Sequence, residues 1–339
     1  MLERDFLAVE DWAYDDIDAL LMLATRVKRG DVSGGLTGLT LAALFLDPSL
    51  RTRASFEAAM ALHGGHTLVL EPGRGAWPLE LEPGAVMDGA TVEHAIDAAR
   101  VLGRYADFLA VRCFPRGATW QDARRDDVLN LFAKHCEKPV INLESARRHP
   151  CQELADMQTI VEKVGRTQGK KFALTWSWHP KALPTAVPAS AALAAARLGM
   201  DLTIARPDGY DLDSDDMATI QRIAEERGGS VTTTEDMDDA ATGAVVVYAK
   251  SWGALGDFGN PERESERRAG LRHWRVSSSL MKRTHDAAGA FMHCLPVRRN
   301  VEVDDAVIDG PWSAVVDQAE NRLHAQRALL LTLARETRR

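Results

Sequence analysis

Short apolar runs alternate with amphipathic helical stretches along nearly the whole chain, in two successive series, and this alternation limits the fold more than any other feature. In the first series Asp11 to Lys28 carries Ile17, Leu20, Leu21 and Ala24 at helical spacing. Leu39 to Leu46 then reads as a buried strand, Thr52 to Leu62 as a helix and His66 to Leu70 as a strand. Glu93 to Leu102 reads as helix, Phe108 to Val111 as strand, Asp126 to Ala133 as helix, and Val140 and Ile141 as a short strand. The second series starts with a strand at Lys171 to Trp176 and an alanine-rich helix at Ala189 to Leu198. A strand at Asp201 to Ala205 and a helix at Ser214 to Arg227 follow, then strands at Val245 to Tyr248 and Phe291 to Cys294. Val315 and Val316 read as a last short strand, and Glu320 to Thr337 as a closing helix. The expected class is α/β: two domains, each with a mostly parallel sheet flanked by helices. A break near His149–Pro150 divides them into 1–149, with a terminal helix at 320–339 returning to it, and 150–319. The stretch HPKALPTAVP, His179 to Pro188, holds three prolines and predicts a stiff, irregular loop.

A length of 339 residues suits two compact domains. No apolar run reaches the length of a membrane-spanning helix, so no membrane association is expected. The opening MLERDFLAVEDW lacks the basic-then-apolar order of a secretory signal, so the expected compartment is the cytoplasm. Cys113, Cys136, Cys151 and Cys294 form no CxxC pair and no metal spacing; reduced thiols and no metal site are expected. A net charge of -8 argues against a nucleic-acid partner. It leaves room for a small anionic ligand, because local arginines can act against the net charge.

Such arginines occur in FLDPSLRTRASFE, Phe45 to Glu57. A buried strand ends at Leu46, Pro48 and Ser49 make a turn, and a helix follows. Exposed N–H groups at a helix start carry partial positive charge and suit a phosphate. Ser49 and Thr52 add hydroxyls, and Arg51 and Arg53 add forked cations. An isolated S-x-R-x-R reads as a capped helix with two solvated arginines; the strand–turn–helix context raises the anion-binding reading beside it. No Walker pattern is present, and no G-x-G-x-x-G turn follows a strand, so neither a nucleoside triphosphate nor a dinucleotide is indicated; no cofactor is expected.

Ser49-Leu50-Arg51-Thr52-Arg53 resembles the S-x-R-T-R signature of the aspartate and ornithine carbamoyltransferases. Three further matches fall in the family's order: Arg112 just after a strand, His149-Pro150-Cys151-Gln152, and His293-Cys294-Leu295-Pro296. The resemblance implies that carbamoyl phosphate is held by Ser49, Leu50, Arg51 and Thr52. It further implies that Thr52, Arg112 and His149 face the carbonyl oxygen while Gln152 holds the carbamoyl amide. Arg112 also bridges to the phosphate, and Trp77, in GAWPLE, resembles a residue that reaches into a neighbouring subunit's phosphate site. Cys294 and the Leu295 carbonyl would orient the attacking amine rather than form a covalent intermediate. The family is trimeric, so a homotrimer with shared sites is implied.

The acceptor is read from a departure. Ordinary ornithine carbamoyltransferases carry an aspartate two residues before a tryptophan, which pairs with the free α-amine; here Lys250 stands two before Trp252. A lysine cannot attract an ammonium group. The resemblance therefore points to the N-acylornithine carbamoyltransferases, supported by Trp77, by His179 in WHPKALP, by LPVRRN and by Glu320-Asn321-Arg322. It implies acceptor contacts at Glu144, His179, Lys250, Cys294, Leu295 and Arg298, and places Arg322 at both substrates. It also implies a knotted chain, with the proline-rich loop threaded through a second loop. Val92 stands where acetyl-type relatives have a glutamate that would repel a succinyl carboxylate, and Glu302 where they carry a modified lysine. N-succinylornithine is the favoured acceptor over N-acetylornithine. A plain ornithine carbamoyltransferase, or a non-catalytic binding protein on the same fold, is the alternative.

Overall fold

The structure is a computed structural model and describes residues 5–337. The chain divides into two compact units. One takes in the described residues up to Arg116, Ala123–Cys151, and the chain from Arg322 onward; the other takes in Gly117–Asp122 and Gln152–Asn321. Each is an α/β unit built on a parallel sheet, as the alternating pattern predicts.

The first unit carries β1 (Thr40–Phe45), β2 (His66–Leu70), β3 (Leu79–Glu80), β4 (Glu93–His94), β5 (Phe108–Arg112) and β6 (Val140–Glu144). Four of them form a sheet in the order β2-β1-β5-β6, every pair parallel. β5 and β6 are buried along their full length; Phe108–Val111 reads as an apolar run, while Asn142 and Glu144 leave only Val140 and Ile141 legible in β6. Ala42, Leu44, Leu109, Val111, Phe132 and Val140 form their core with the helices Ala95–Tyr105 and Asp127–His135. β1 pairs with β2 on one side and β5 on the other, so the connections leave β1 in opposite directions. Ligands of open α/β sheets bind at such a switch point, beyond the carboxyl ends of the strands. β3 and β4 pair only with each other, and β4 takes the place of the helix start expected at Glu93. That helix begins at Ala95, where Nδ1 of His94 accepts the Ile96 N–H.

The second unit carries β7 (Lys171–Trp176), β8 (Asp201–Ala205), β9 (Ser230–Thr234), β10 (Val246–Lys250) and β11 (Ala290–Met292). They form one parallel sheet in the order β11-β10-β7-β8-β9, whose switch point lies between β7 and β10. The helix Ala186–Arg197 is buried on every face, as a helix apolar but for Ser190 and Arg197 should be. Its alanines pack among Phe172, Leu174, Trp176 and Val247.

Two further expectations are corrected, and one strand went unforeseen. Val315 and Val316 are not a strand; they open the helix Val315–Thr337, whose ladder starts with the Gln318 N–H donating to the Ala314 carbonyl. A pair of β-branched residues is too short a signal to outweigh a helix that follows directly. The loop from His179 ends at Thr185, and Pro188 lies in the first helical turn, where a missing N–H costs nothing. β9 was not expected, because SVTTT has almost no apolar residue and forms the sheet edge.

Candidate active site

In the first unit the predicted anion turn forms where the β1 chain leaves the sheet. Ser49 is extended, with φ -156°, and caps the helix Leu50–Leu62; its Oγ accepts the Thr52 N–H at 3.3 Å. Thr52 is buried and Leu50 is exposed. Arg53 does not join the turn: it is paired with Glu57 at 2.9 Å and Glu71 at 3.5 Å on the exposed side of the helix. Asp47, which the sequence did not single out, fastens the turn to the chain after β5. It accepts the Phe114 N–H at 2.7 Å and faces Arg116 at 3.3 Å.

Arg112 ends β5 beside this turn, and its Nε donates to the Pro48 carbonyl at 3.3 Å. The β5–β6 register shifts between Val111 and Arg112, which sets Arg112 opposite Glu144. Such a bulge re-aims a side chain. Nη1 of Arg112 donates to Glu144 Oε2, and the same carboxylate oxygen lies 3.6 Å from His149 Nε2. All three groups are buried, and His149 stands directly before the helix Pro150–Val164, with Pro150 at the first helical position. Glu144, expected from the sequence as an acceptor contact, thus holds the guanidinium and faces the imidazole. Arg322 completes the group from the far end of the chain, its Nη2 donating to Thr52 Oγ1 at 2.7 Å. Cys151, fully buried, has its thiol pushed up to about 12 by burial, which makes it inert.

Trp77 and Val92 lie apart from that group on the β3–β4 segment. Trp77 is 57 % exposed and Val92 69 % exposed. The indole Nε1 donates to Glu93, the neighbour of Val92, at 2.5 Å. The Trp77 side chain therefore reaches the residue next to Val92, although the sequence assigned Trp77 and Val92 to different substrates.

In the second unit the predicted acceptor residues gather at the carboxyl ends of β7, β10 and β11. Lys250 ends β10 and is only 7 % exposed, yet its ammonium has no hydrogen-bond partner among the described residues. His293 follows β11. Its Nδ1 accepts the Leu295 N–H at 2.9 Å, and its Nε2 faces Glu302 Oε1 at 3.4 Å. Leu295, next to Cys294, sits at φ 55° in the left-handed region, and its peptide bond to Pro296 is cis. Glu302 Oε2 also accepts the Arg298 N–H at 2.7 Å. Burial by itself would raise the Glu302 carboxyl, but the His293 hydrogen bond, the charges of His293 and Lys250 and the Arg298 N–H hold it below its ordinary value. Nε of Arg298 donates to His179 Nε2 at 2.9 Å, and its two terminal nitrogens have no partner among the described residues. Burial, then the nearby cations Arg298 and Lys250, pull the His179 imidazole below its ordinary value, against the Lys181 carbonyl and Glu302. Gln152 lies in the first turn of the helix Pro150–Val164, buried, with Nε2 donating to Asp156 at 2.7 Å. The roles of Glu302, Asp156 and Gln318 went unread, because a buried carboxylate or amide carries no local pattern. Gln318 accepts the His293 N–H at 2.9 Å and donates to Asp156 at 2.7 Å.

Residues 4–162 match the family model described as the aspartate/ornithine carbamoyltransferase carbamoyl-P binding domain, and residues 168–333 the one described as the Asp/Orn binding domain. The chain belongs to the aspartate/ornithine carbamoyltransferase family and is a carbamoyltransferase. Within that family it falls in the N-acylornithine branch. It is 46% identical over 338 residues, 99% of each chain, to the N-acetylornithine carbamoyltransferase of Xanthomonas campestris pv. campestris. It is 38% identical over 284 residues, 84% of this chain and 83% of the other, to the N-succinylornithine carbamoyltransferase of Bacteroides fragilis. A solved structure of a glutamate-to-valine mutant of N-acetyl-L-ornithine transcarbamylase, complexed with carbamyl phosphate and N-succinyl-L-norvaline, is similar with a TM-score of 0.93. That match has 47% identity and covers 97% of this chain and 99% of that one. Among the described residues no helix is long and apolar enough to cross a membrane.

Proposed function

We propose that this protein moves the carbamoyl group of carbamoyl phosphate onto the side-chain amine of an Nα-acylated L-ornithine, giving an N-acylcitrulline and phosphate in arginine biosynthesis. The observation that carries this is Lys250, which ends β10 with its residue only 7 % exposed and its ammonium hydrogen-bonded to no described residue, at the position where a free α-amine would need a carboxylate. Lys250 acts by its charge on the Glu302 carboxylate, and its N–H groups remain free of hydrogen bonds to the described residues. It suits the α-carboxylate or acyl oxygen of an acceptor whose own α-amine is a neutral amide.

Ser49, Leu50, Arg51 and Thr52 hold the phosphate at the helix start, with Arg112, Arg322 and the Trp77 indole. Thr52, Arg112 and His149 converge on the carbonyl oxygen and stabilise its developing charge; Gln152 holds the carbamoyl amide. Glu144 positions Arg112 and meets the acceptor, which His179, Lys250 and Arg298 also hold. Cys294 and the Leu295 carbonyl steer the amine. The amine nitrogen forms a bond to the carbamoyl carbon, the phosphate oxygen leaves with its bonding pair, and the surplus proton passes to phosphate or water. With no dedicated base, kcat/KM rises with pH as the substrate amine loses its proton.

Val92 favours a succinyl over an acetyl acceptor, because an apolar side chain leaves the succinyl carboxylate unopposed. The complex of the glutamate-to-valine relative with N-succinyl-L-norvaline supports that choice. We assign the carbamoyl-phosphate role to 1–149 with 320–339, the acceptor role to 150–319, and the location to the cytoplasm. The exposed Trp77 and Val92 fit a homotrimer in which each copy completes its neighbour's site. The contact between the proline-rich loop and the chain after β10, where the Gly253 N–H donates to the Leu183 carbonyl at 2.9 Å, fits a knotted second unit.

The test is citrulline-type product formed from carbamoyl phosphate with ornithine, N-acetylornithine and N-succinylornithine in parallel. Equal turnover of free ornithine sinks the acyl reading. Much faster turnover of the acetyl compound sinks the succinyl preference alone.

A further inference from the structure

We propose that Arg268 is a positioning residue for the acceptor: acting through His179, it fixes Arg298 with both terminal guanidinium nitrogens open to an acceptor carboxylate. The inference rests on the reading of Arg298 as an acceptor contact. Arg268 lies in the helix Pro261–Ala269 and is 2 % exposed. Its Nε donates to Glu264 Oε1 at 3.1 Å, and Nη2 donates to the same oxygen. Nη1 donates to the carbonyls of His179, at 2.7 Å, and Lys181, at 2.8 Å. One planar cation thus binds a carboxylate on one side and two backbone oxygens on the other, a fork that lysine cannot reproduce. The second oxygen of Glu264 accepts the Ala254 N–H at 3.1 Å, so the pair also ties down the chain after Lys250.

The His179 ring is set by the same turn. An arginine Nε only donates, so the ring nitrogen facing Arg298 accepts, and Nδ1 is left to the Lys181 backbone, whose N–H stands 3.0 Å from it. Nδ1 lies 2.9 Å from the Lys181 carbonyl, the oxygen that Arg268 holds. Arg298 is then gripped at two points, Nε by His179 and its backbone N–H by Glu302. Its remaining edge suits the bidentate capture of a carboxylate.

The experiment uses the full-length Arg268→Lys protein, with each substrate varied in turn. The acceptor KM is expected to rise about tenfold, as loss of placement in a preorganised site commonly costs. The carbamoyl phosphate KM and kcat should stay within about twofold. The same substitution made in a His179→Gln background should add nothing further. Should Arg268→Lys fail to fold, Glu264→Gln is expected to show the same KM signature. An unchanged acceptor KM, equal losses for both substrates, or a full additional loss in the His179→Gln background overturns the inference. Arg298→Ala separates the two claims. If it leaves the acceptor KM unchanged, the underlying reading falls; if it raises KM while Arg268→Lys does not, only the role of Arg268 falls.

Discussion

Arg322 Nη2 donates to Thr52 Oγ1 across 2.7 Å, joining residues 270 positions apart. A guanidinium has donors only, so the hydroxyl accepts, and its own proton is left to be given elsewhere. Arg322 therefore does more than add charge: it turns Thr52 into an oriented donor. Arg322→Lys is expected to raise the KM for carbamoyl phosphate about 10- to 100-fold, the usual worth of a charged hydrogen bond. Isothermal titration with carbamoyl phosphate checks this, and unchanged affinity would reduce the contact to a helix anchor.

Arg112 and Glu144 make a separate prediction. With Arg112→Ala the developing oxyanion loses its fixed cation, and kcat should fall about 10²- to 10³-fold. Glu144→Gln keeps the shape but weakens the hold on Arg112, so a smaller fall in kcat is expected. Single-turnover rates separate the two variants. Equal activity of Glu144→Gln and the parent would mean that the guanidinium needs no carboxylate to place it.

The α/β class and the phosphate turn were legible because both have local signatures. Buried parallel strands such as β5 and β7 are continuous apolar runs, and a capped helix start with serine, threonine and arginine can be read from five residues. β9 escaped because three threonines at a sheet edge carry no such run. The residues proposed to hold the acceptor could be singled out one by one, while their connections could not. Arg268 lies 89 positions from His179, and nothing in PERESERRA distinguishes a buried guanidinium from the exposed ones beside it. The helix suggests only a charged surface stretch; burial by Trp176 and Tyr210 is a property of the folded unit.

The His179 imidazole sets a pH dependence. Its ordinary value is 6.5, and the folded protein lowers it. The folded state therefore binds fewer protons than the unfolded chain just below pH 6.5. Stability from this group is present above that value and is lost as pH falls through the folded value. Protonation would also replace the Arg298–His179 hydrogen bond by two facing cations. The acceptor KM should accordingly climb as pH drops through this window, while the carbamoyl phosphate KM stays level. A KM-against-pH series on the parent and on His179→Gln checks it; an inflection that survives in the variant belongs to another group.

Val92→Glu tests acyl selection. An added carboxylate opposes the succinyl carboxylate, and even about 1 kcal/mol between partly solvated charges lowers kcat/KM several-fold. N-acetylornithine, which lacks that charge, should be used at least as well as before. Competition between the two acceptors, read by mass spectrometry of the products, gives the ratio directly. An unaltered ratio would place the acyl tail away from this position.

The helix Ala186–Arg197 has a consequence for how this chain can change over evolutionary time. It lies wholly inside its unit, built mostly of alanine, with Leu193 and the terminal Arg197 its largest side chains. Enlarging one of these residues would push a helix off a sheet that has no slack. The strands β7 and β10 beneath it are thereby kept at a fixed depth, and the loops that follow them start from an invariant platform. Change within this unit is then channelled into the loops beyond the strands, which can vary without disturbing the foundation they start from.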